Sequence, residues 1–222
     1  MSSTRLDRAA TIAVIVAAIA VCINQLRPGP TVTSDPPTIG GAPRVIDAWQ
    51  DVRRDAIRES GPSSGVVLIE FADFECPFCA RFHQAFASLA TAQGLEFEHA
   101  FVHFPLPMHR FAMPAARAAE CAHAQQRFPE MKAELFGLQD SLGLIDWRDV
   151  ARRSKVPDLD TFDRCIDDPR TDSLVHRRSR WADSLRIEGT PSVLIDSVLY
   201  SGLSADSVLR IVKAAIERRA SK

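Results

Sequence analysis

A chain of 222 residues has room for one good-sized domain, or for one domain with appendages. Its formal net charge of −1, with no long basic run, excludes nucleic acid as the expected partner.

The first predicted element is apolar. Arg5 and Arg8 precede an almost uncharged stretch from Ala9 to Leu26, about 18 residues, near the short limit of the roughly 17–25 that span a bilayer. This reads as residues 1–8 on the cytoplasmic side, a single-pass signal anchor over 9–26, and all that follows on the extracytoplasmic side, because the flanking arginines stay inside. Two rivals share the segment. A signal peptide cut after Ala18-Ile19-Ala20 would leave Val21, Cys22 and Ile23 on the mature end. Lipidation of Cys22 is the other, although Val21 is bulkier than such a site wants. All three export the rest of the chain. Residues 27–43, rich in Pro, Gly, Thr and Ser, read as a flexible linker, which leaves 44–222 as the domain.

Within that domain, Val45 to Ile57 carries a weak helical pattern through Ile46, Trp49, Val52 and Ile57. Gly61-Pro62-Ser63-Ser64-Gly65 breaks the chain before a strand, Val66 to Ala72. A helix then starts at or just after Cys76, with Phe78, Phe82, Phe86 and Leu89 at helical spacing, and stops at Gly94. Leu95 to Phe104 predicts a second strand. From about 109 to 187 no strand signal occurs. Ala112 to Phe128 is Ala-rich and helical, Met131, Leu135, Leu138 and Leu142 continue a stripe, and Asp146 to Arg153 suggests a short helix. Asp160 is placed to cap another through Ile166, and Leu174, Trp181 and Leu185 mark a longer one. Ser192 to Ile195 and Val198 to Tyr200 flank Asp196-Ser197 as a hairpin. Ser204 can cap a last helix whose Val208, Leu209, Val212 and Ile216 share a face.

The chemistry centres on Cys76-Pro77-Phe78-Cys79. At a strand-to-helix junction a Cys-x-x-Cys reads as a redox pair. The first thiol meets the unpaired N–H groups and positive dipole end of the helix, which favour a thiolate. The second follows on the same face, within disulfide reach. Pro77 suits the first helical position, where no N–H is needed. Cys121 and Cys165 complete an even number of cysteines beyond Cys22. A bridge between them would suit an oxidising compartment; two separate buried thiols are the alternative. Glu70, six positions before Cys76, is the one acid in its apolar strand. It is either a buried carboxylate with a raised pKa, able to trade protons with the second thiol, or a strand-edge group reaching water. Asp73 and Glu75 read as solvated acids opposing thiolate formation slightly. His83 reads as an exposed helix residue, and His103, His109 and His123 as scattered.

Phe71-Ala72-Asp73-Phe74-Glu75-Cys76-Pro77-Phe78-Cys79 resembles the active-site segment of DsbA-type thiol oxidoreductases, in particular the membrane-anchored bacterial branch. Phe104-Pro105-Leu106, Glu120-Cys121-Ala122 and Gly189-Thr190-Pro191 fit the same family in order and approximate spacing, over about Val66 to Ala220. The resemblance implies a thioredoxin-like α/β fold, a central mixed sheet flanked by helices, with a helical insertion at about 109–187. It implies Cys76 as exposed nucleophile, Cys79 as resolving thiol and Pro191 as a cis proline, and it places an acid at Glu70. The exposed backbone of Thr190 beside a cis Pro191 would pair with an extended substrate, with Pro77 and Phe78 lining the contact. A trans bond starting a strand is the bland alternative there.

The expected function is a thiol:disulfide oxidoreductase that donates the Cys76–Cys79 disulfide to exported proteins through a mixed disulfide. No cofactor and no metal are expected. The family implies a membrane-bound, quinone-linked oxidase as redox partner. An extracytoplasmic thiol reductase, for example in cytochrome maturation, is the alternative. A zinc or structural module using Cys76, Cys79, Cys121 and a His lacks regularly spaced ligands.

Overall fold

The computed structural model describes residues 42–61 and 65–221. The expected anchor over 9–26, Cys22 and all but the end of the 27–43 linker lie outside them. Among the described residues, no helix is long and apolar enough to cross a membrane.

In chain order the elements are β1 (Arg44–Val45), α1 (Trp49–Asp55), β2 (Ile57–Ser60), β3 (Val67–Ala72), α2 (Pro77–Gln93) and β4 (Glu98–His103). Five helices follow: α3 (Ala112–His123), α4 (Phe128–Gly137), α5 (Trp147–Arg153), α6 (Leu159–Asp167) and α7 (Pro169–Ser184), with a short 3₁₀ turn, Gln139–Ser141, after α4. β5 (Ser192–Ile195), β6 (Val198–Ser201) and α8 (Ala205–Ala220) close the domain. The sheet order is β1-β6-β5-β3-β4-β2. Among the described strands only β3 and β4 pair in parallel, and α2 is their crossover. This is the thioredoxin-like α/β arrangement, a mixed sheet with helices on both faces.

The central strand shows why. All six residues of β3 are buried, as a near-continuous apolar run requires when both sheet faces are covered. Their side chains alternate. Leu68 points toward α2 and α8, joining Phe82, Phe86, Val193, Val208, Leu209 and Val212. Val67, Ile69 and Phe71 point the other way, to Val52, Ala182, Ile187 and Leu199. The helices between β4 and β5 bury a separate cluster with Phe74, Phe101, Phe128, Met131, Leu135, Phe136 and Phe162. Gly94 ends α2 in the left-handed conformation at φ 57°, which glycine adopts without a Cβ penalty.

Several boundaries differ from the sequence reading. Ile57 does not end a helix; it opens β2, fully buried, and pairs antiparallel with Phe101. The Ala-rich helix stops at His123, and Gln126 turns the chain at φ 61° before α4 begins at Phe128. Leu95 and Phe97 precede β4 and pack toward α2. Asp158, not Asp160, caps α6, accepting from the Thr161 N–H.

Candidate active site

β3 delivers the chain to its carboxyl end, and Asp73-Phe74-Glu75 carry it into α2. Cys76 is the N-cap, with extended backbone at φ −72°, ψ 118°, and Pro77 stands at the helix start. The Cys76 N–H donates to the Asp73 carbonyl at 3.1 Å, and the Cys76 carbonyl accepts from Ala80 N–H at 3.2 Å. Cys79 follows one turn on, and both thiols are free. The sequence reading of an exposed Cys76 is corrected here: the residue is only 3 % exposed, packed with Cys79 in the cluster that holds Phe74. The Thr190–Pro191 bond is cis, and the Thr190 carbonyl accepts from the Cys76 sulfhydryl at 3.5 Å.

The two sulfurs differ sharply in proton affinity. The Cys76 pKa falls from its ordinary 9.0 to about 6, because the Cys79 thiol donates to it, against the cost of burial. The Thr190 side chain and the backbone N–H groups of Cys79 and Phe78 add to the effect. The helix N-terminus therefore contributes, but after the neighbouring thiol. Cys79 is pushed well above 9.0, first by burial and then by its hydrogen bond to Cys76. One sulfur is prepared as a thiolate and the other retains its proton.

Asp73 and Glu75 are not the solvated acids the sequence suggested. Asp73 is 1 % exposed and accepts from the N–H groups of Glu75 (2.7 Å) and Leu106 (2.8 Å) and from His109 Nδ1 (2.7 Å). Glu75 Oε2 accepts from Phe111 N–H. Both acids tie the β4–α3 connection to the cysteine turn. From the helical insertion, Gln139 Nε2 donates to the carbonyls of Phe74 and Cys76, each at 2.9 Å. The sequence reading left His109 among the scattered histidines and missed Gln139; no local pattern brings either to the site, since their partners there lie 36 to 65 residues away.

Glu70 is buried and does not reach water, and the raised pKa attached to the buried reading is corrected. Burial pushes its pKa up, but the Lys132 ammonium at 3.4 Å and His99 Nε2 at 3.5 Å bring it down to about 2. A carboxylate held ionised in this way has no proton to give near neutral pH. Lys132 also bonds Glu59 at 2.7 Å. Glu59, Glu70 and His99 converge within 4.8 Å, the spacing of a metal site, but the Lys132 ammonium already supplies their positive charge. His83, expected in solvent, is half-buried against Phe136, and burial, followed by Lys132, lowers its pKa to about 4. His103 lies 3.3 Å from buried Glu120, which Arg178 also meets at 2.8 Å, and His123 packs its ring near Phe128. The histidines thus serve different neighbourhoods.

Cys121 in α3 and Cys165 in α6 are joined, with Cα atoms 5.7 Å apart. A zinc centre on Cys76, Cys79 and Cys121 would need a thiolate that the bridged Cys121 does not offer. Phe78 is 47 % exposed at the site, with the Arg81 guanidinium 4.6 Å above its ring. An open groove of about 690 Å³, lined by His83, Phe86, Leu95, Phe97, His99 and Lys132, includes neither Cys76 nor Pro191.

A thioredoxin-like sheet, a Cys-x-x-Cys at the start of α2 and a cis proline facing it define the class. The chain belongs to the thioredoxin family, whose model, described as Thioredoxin, matches residues 61–214. Among curated proteins it is 35 % identical over 171 residues to Na(+)/H(+) antiporter NhaA 1 of Mycolicibacterium gilvum, covering 74 % of this chain and 27 % of that protein. Na(+)/H(+) antiporter NhaA 3 of Salinispora tropica is 31 % identical over 166 residues, covering 74 % and 25 %. The chain thus spans about a quarter of the length of the curated relatives it matches. Its fold is shared with DsbA-type proteins. The structure of BdbD from Bacillus subtilis aligns at TM-score 0.64 and 19 % identity, over 74 % of this chain and 94 % of that one. Alpha-DsbA1 of Wolbachia pipientis aligns at 0.63 and 19 %, over 75 % and 93 %. A thioredoxin-like oxidoreductase from Silicibacter pomeroyi aligns at 0.62 and 23 %, over 74 % and 93 %.

Proposed function

We propose that this chain is a protein thiol:disulfide oxidoreductase that donates the Cys76–Cys79 disulfide to exported proteins. The observation that carries the reading is the asymmetric thiol pair beside the cis Thr190–Pro191 bond, with Cys76 at about 6 and Cys79 raised. A substrate thiolate attacks the Cys76 sulfur, the Cys76–Cys79 bond breaks, and Cys79 leaves and takes a proton. A second substrate thiolate then attacks the substrate sulfur of the mixed disulfide. Cys76 leaves as a thiolate, and two electrons have passed from substrate to pair. A leaving group of low pKa departs readily, and a stabilised thiolate stabilises the reduced protein, so the disulfide is oxidising. This favours donation over the reductase alternative. Thr190 and Pro191, with Pro77 and Phe78, are the proposed substrate contacts. Glu70 acts as the ionised partner of Lys132 and His99, not as a proton donor.

The same reading assigns residues 9–26 as an anchor and 27–43 as a tether, with the domain of 44–222 outside the cytoplasm and a membrane-bound, quinone-linked oxidase recycling the pair. The relatives named as antiporters support a membrane setting, since an antiporter works across a membrane and the matched segment lies within those longer chains. Refolding of a reduced, denatured disulfide protein by the oxidised chain tests the function. The expected result is one disulfide delivered per chain, no turnover with Cys76→Ser, and trapped mixed disulfides with Cys79→Ser. Equal loss in both variants with no trapped species would reject the assigned roles. Faster reduction of substrate disulfides than oxidation of thiols would select the reductase reading.

A further inference from the structure

Pro77 and Phe78 place no titratable side chain between the two cysteines. A basic group reaches the turn from another segment instead. His109 lies in the short connection between β4 and α3, where its N–H donates to the Leu106 carbonyl at 3.0 Å. Asp73 Oδ2 engages its Nδ1 at 2.7 Å, which leaves Nε2 as the nitrogen that gains and loses a proton. Asp73 is itself fixed by the Glu75 and Leu106 N–H groups, and its backbone carbonyl holds Cys76 N–H. The imidazole is therefore pinned to the same residue that positions the nucleophile. Its side chain remains 20 % exposed, so protons exchange with water.

We propose that His109, oriented by Asp73, is the positive charge that stabilises the Cys76 thiolate, and that it couples the redox state of the pair to proton uptake. This rests on the reading of Cys76 and Cys79 as a reversible pair. The acidic groups whose charge favours the His109 imidazolium are Asp73, in direct contact with it, and Cys76 and Glu75, all from the β3–α2 turn. Arg110, beside it in the chain, turns its guanidinium over the Phe111 ring, 5.2 Å from the centroid. Burial works against the imidazolium, but Asp73, Cys76 and Glu75 outweigh it and raise the His109 pKa above 6.5. Cys76 ionises near 6, so a pH window exists in which thiolate and imidazolium stand together.

The balance of the step follows. A substrate dithiol loses two electrons and two protons and becomes a disulfide. The electrons cleave the Cys76–Cys79 bond; one proton ends on Cys79 and Cys76 stays a thiolate. The second proton passes to His109 where its ring is neutral, and to water where the ring is already protonated. In the disulfide form Cys76 carries no charge, so His109 holds its proton less tightly. The coupling is reciprocal: whatever the thiolate adds to the proton affinity of His109, the imidazolium adds to the ionisation of Cys76.

Proton NMR titration of the histidine rings in the full chain, reduced and oxidised, reads this without any substitution in the reacting groups. The His109 signal, assigned by its loss in His109→Gln, should titrate at higher pH in the reduced protein by about half a unit or more, roughly threefold in proton affinity. In His109→Gln the Cys76 thiolate absorbance should move to higher pH by the same amount, and the glutathione equilibrium should shift about threefold toward the disulfide. The same His109 midpoint in both redox states would overturn the proposal, as would a Cys76 midpoint unmoved in His109→Gln. Thiol counting separates the two readings. A pair that never forms a disulfide rejects the oxidoreductase and this coupling with it, whereas a pair that cycles while His109 stays constant rejects the coupling alone.

Discussion

Cys76–Cys79 and Cys121–Cys165 are two cysteine pairs within one apolar cluster, and they do different things. Cys76, Cys79 and Cys121 are all almost fully buried, and Cys165 packs against the same group. Exposure therefore does not explain which pair is reactive. The hydrogen-bond donors do. Cys76 sits at a helix start and receives the Cys79 thiol, Thr190 and two backbone N–H groups. Cys121 lies within the third turn of α3 and is bonded to a residue 44 positions away, Cys165, whose sulfur lies 3.7 Å from Thr171 Oγ1. The Cys121 sulfur is committed to its partner across the insertion, while the donors gathered on Cys76 at a helix start favour a thiolate.

Removing the cross-link is the strongest test of that contrast. Cys121→Ala with Cys165→Ala should lower stability by about 4 kcal/mol in the chain-entropy picture for a closed loop of this length, read as a lower urea midpoint. The Cys76 titration should stay near 6. A large movement of that titration would mean the bridge shapes the reactive turn, and the two pairs would no longer be independent.

Acid should expose a second, smaller contribution from charge rather than sulfur. The Glu70 pKa is depressed in the folded state to about 2 from 4.5. Its stabilisation is thus complete above about pH 4.5 and is lost as the pH falls toward 2. Urea midpoints across that range should fall in the wild type and flatten in a Glu70→Gln, Lys132→Met double variant, with Cys76 chemistry at neutral pH preserved. An identical acid profile in both proteins would remove Glu70 from the account.

The smallest expected effect is the most local. Cys79→Ala deletes the leading donor to Cys76, while Cys79→Ser keeps a hydroxyl in its place. A hydrogen bond to a charged group contributes about 1.5–3 kcal/mol, so the Ala variant should raise the Cys76 midpoint by roughly one to two pKa units and the Ser variant by less. Thiolate absorbance measures both. Equal midpoints in the two variants would return the control of Cys76 to the helix N-terminus.

Much of this frame was legible in one dimension. The apolar run through β3, the helical spacing after Cys76, the long strandless block and the hairpin around Asp196 each follow from local periodicity and turn residues, and each is where the pattern puts it. Ile57 was misread because a single β-branched residue fits the end of a helix as well as the start of a strand, and only its pairing with Phe101 decides. Asp73 was misread because a short acid beside a turn is usually solvated. The N–H of Leu106 and the ring of His109 fold over it from 33 and 36 residues further on.

By itself the sequence determined that two thiols three residues apart stand at a strand-to-helix junction, since backbone geometry at that spacing is local. It also determined the thioredoxin-like order of elements. Only the tertiary structure decided the charge each group carries. Glu70 is held ionised by Lys132 from 62 residues away, and the Cys76 sulfhydryl meets the carbonyl of Thr190, 114 residues on. Proton affinity depends on the free-energy difference between charged and neutral forms in a particular surrounding. That surrounding does not exist until the sheet, the α2 helix and the helical insertion have packed together.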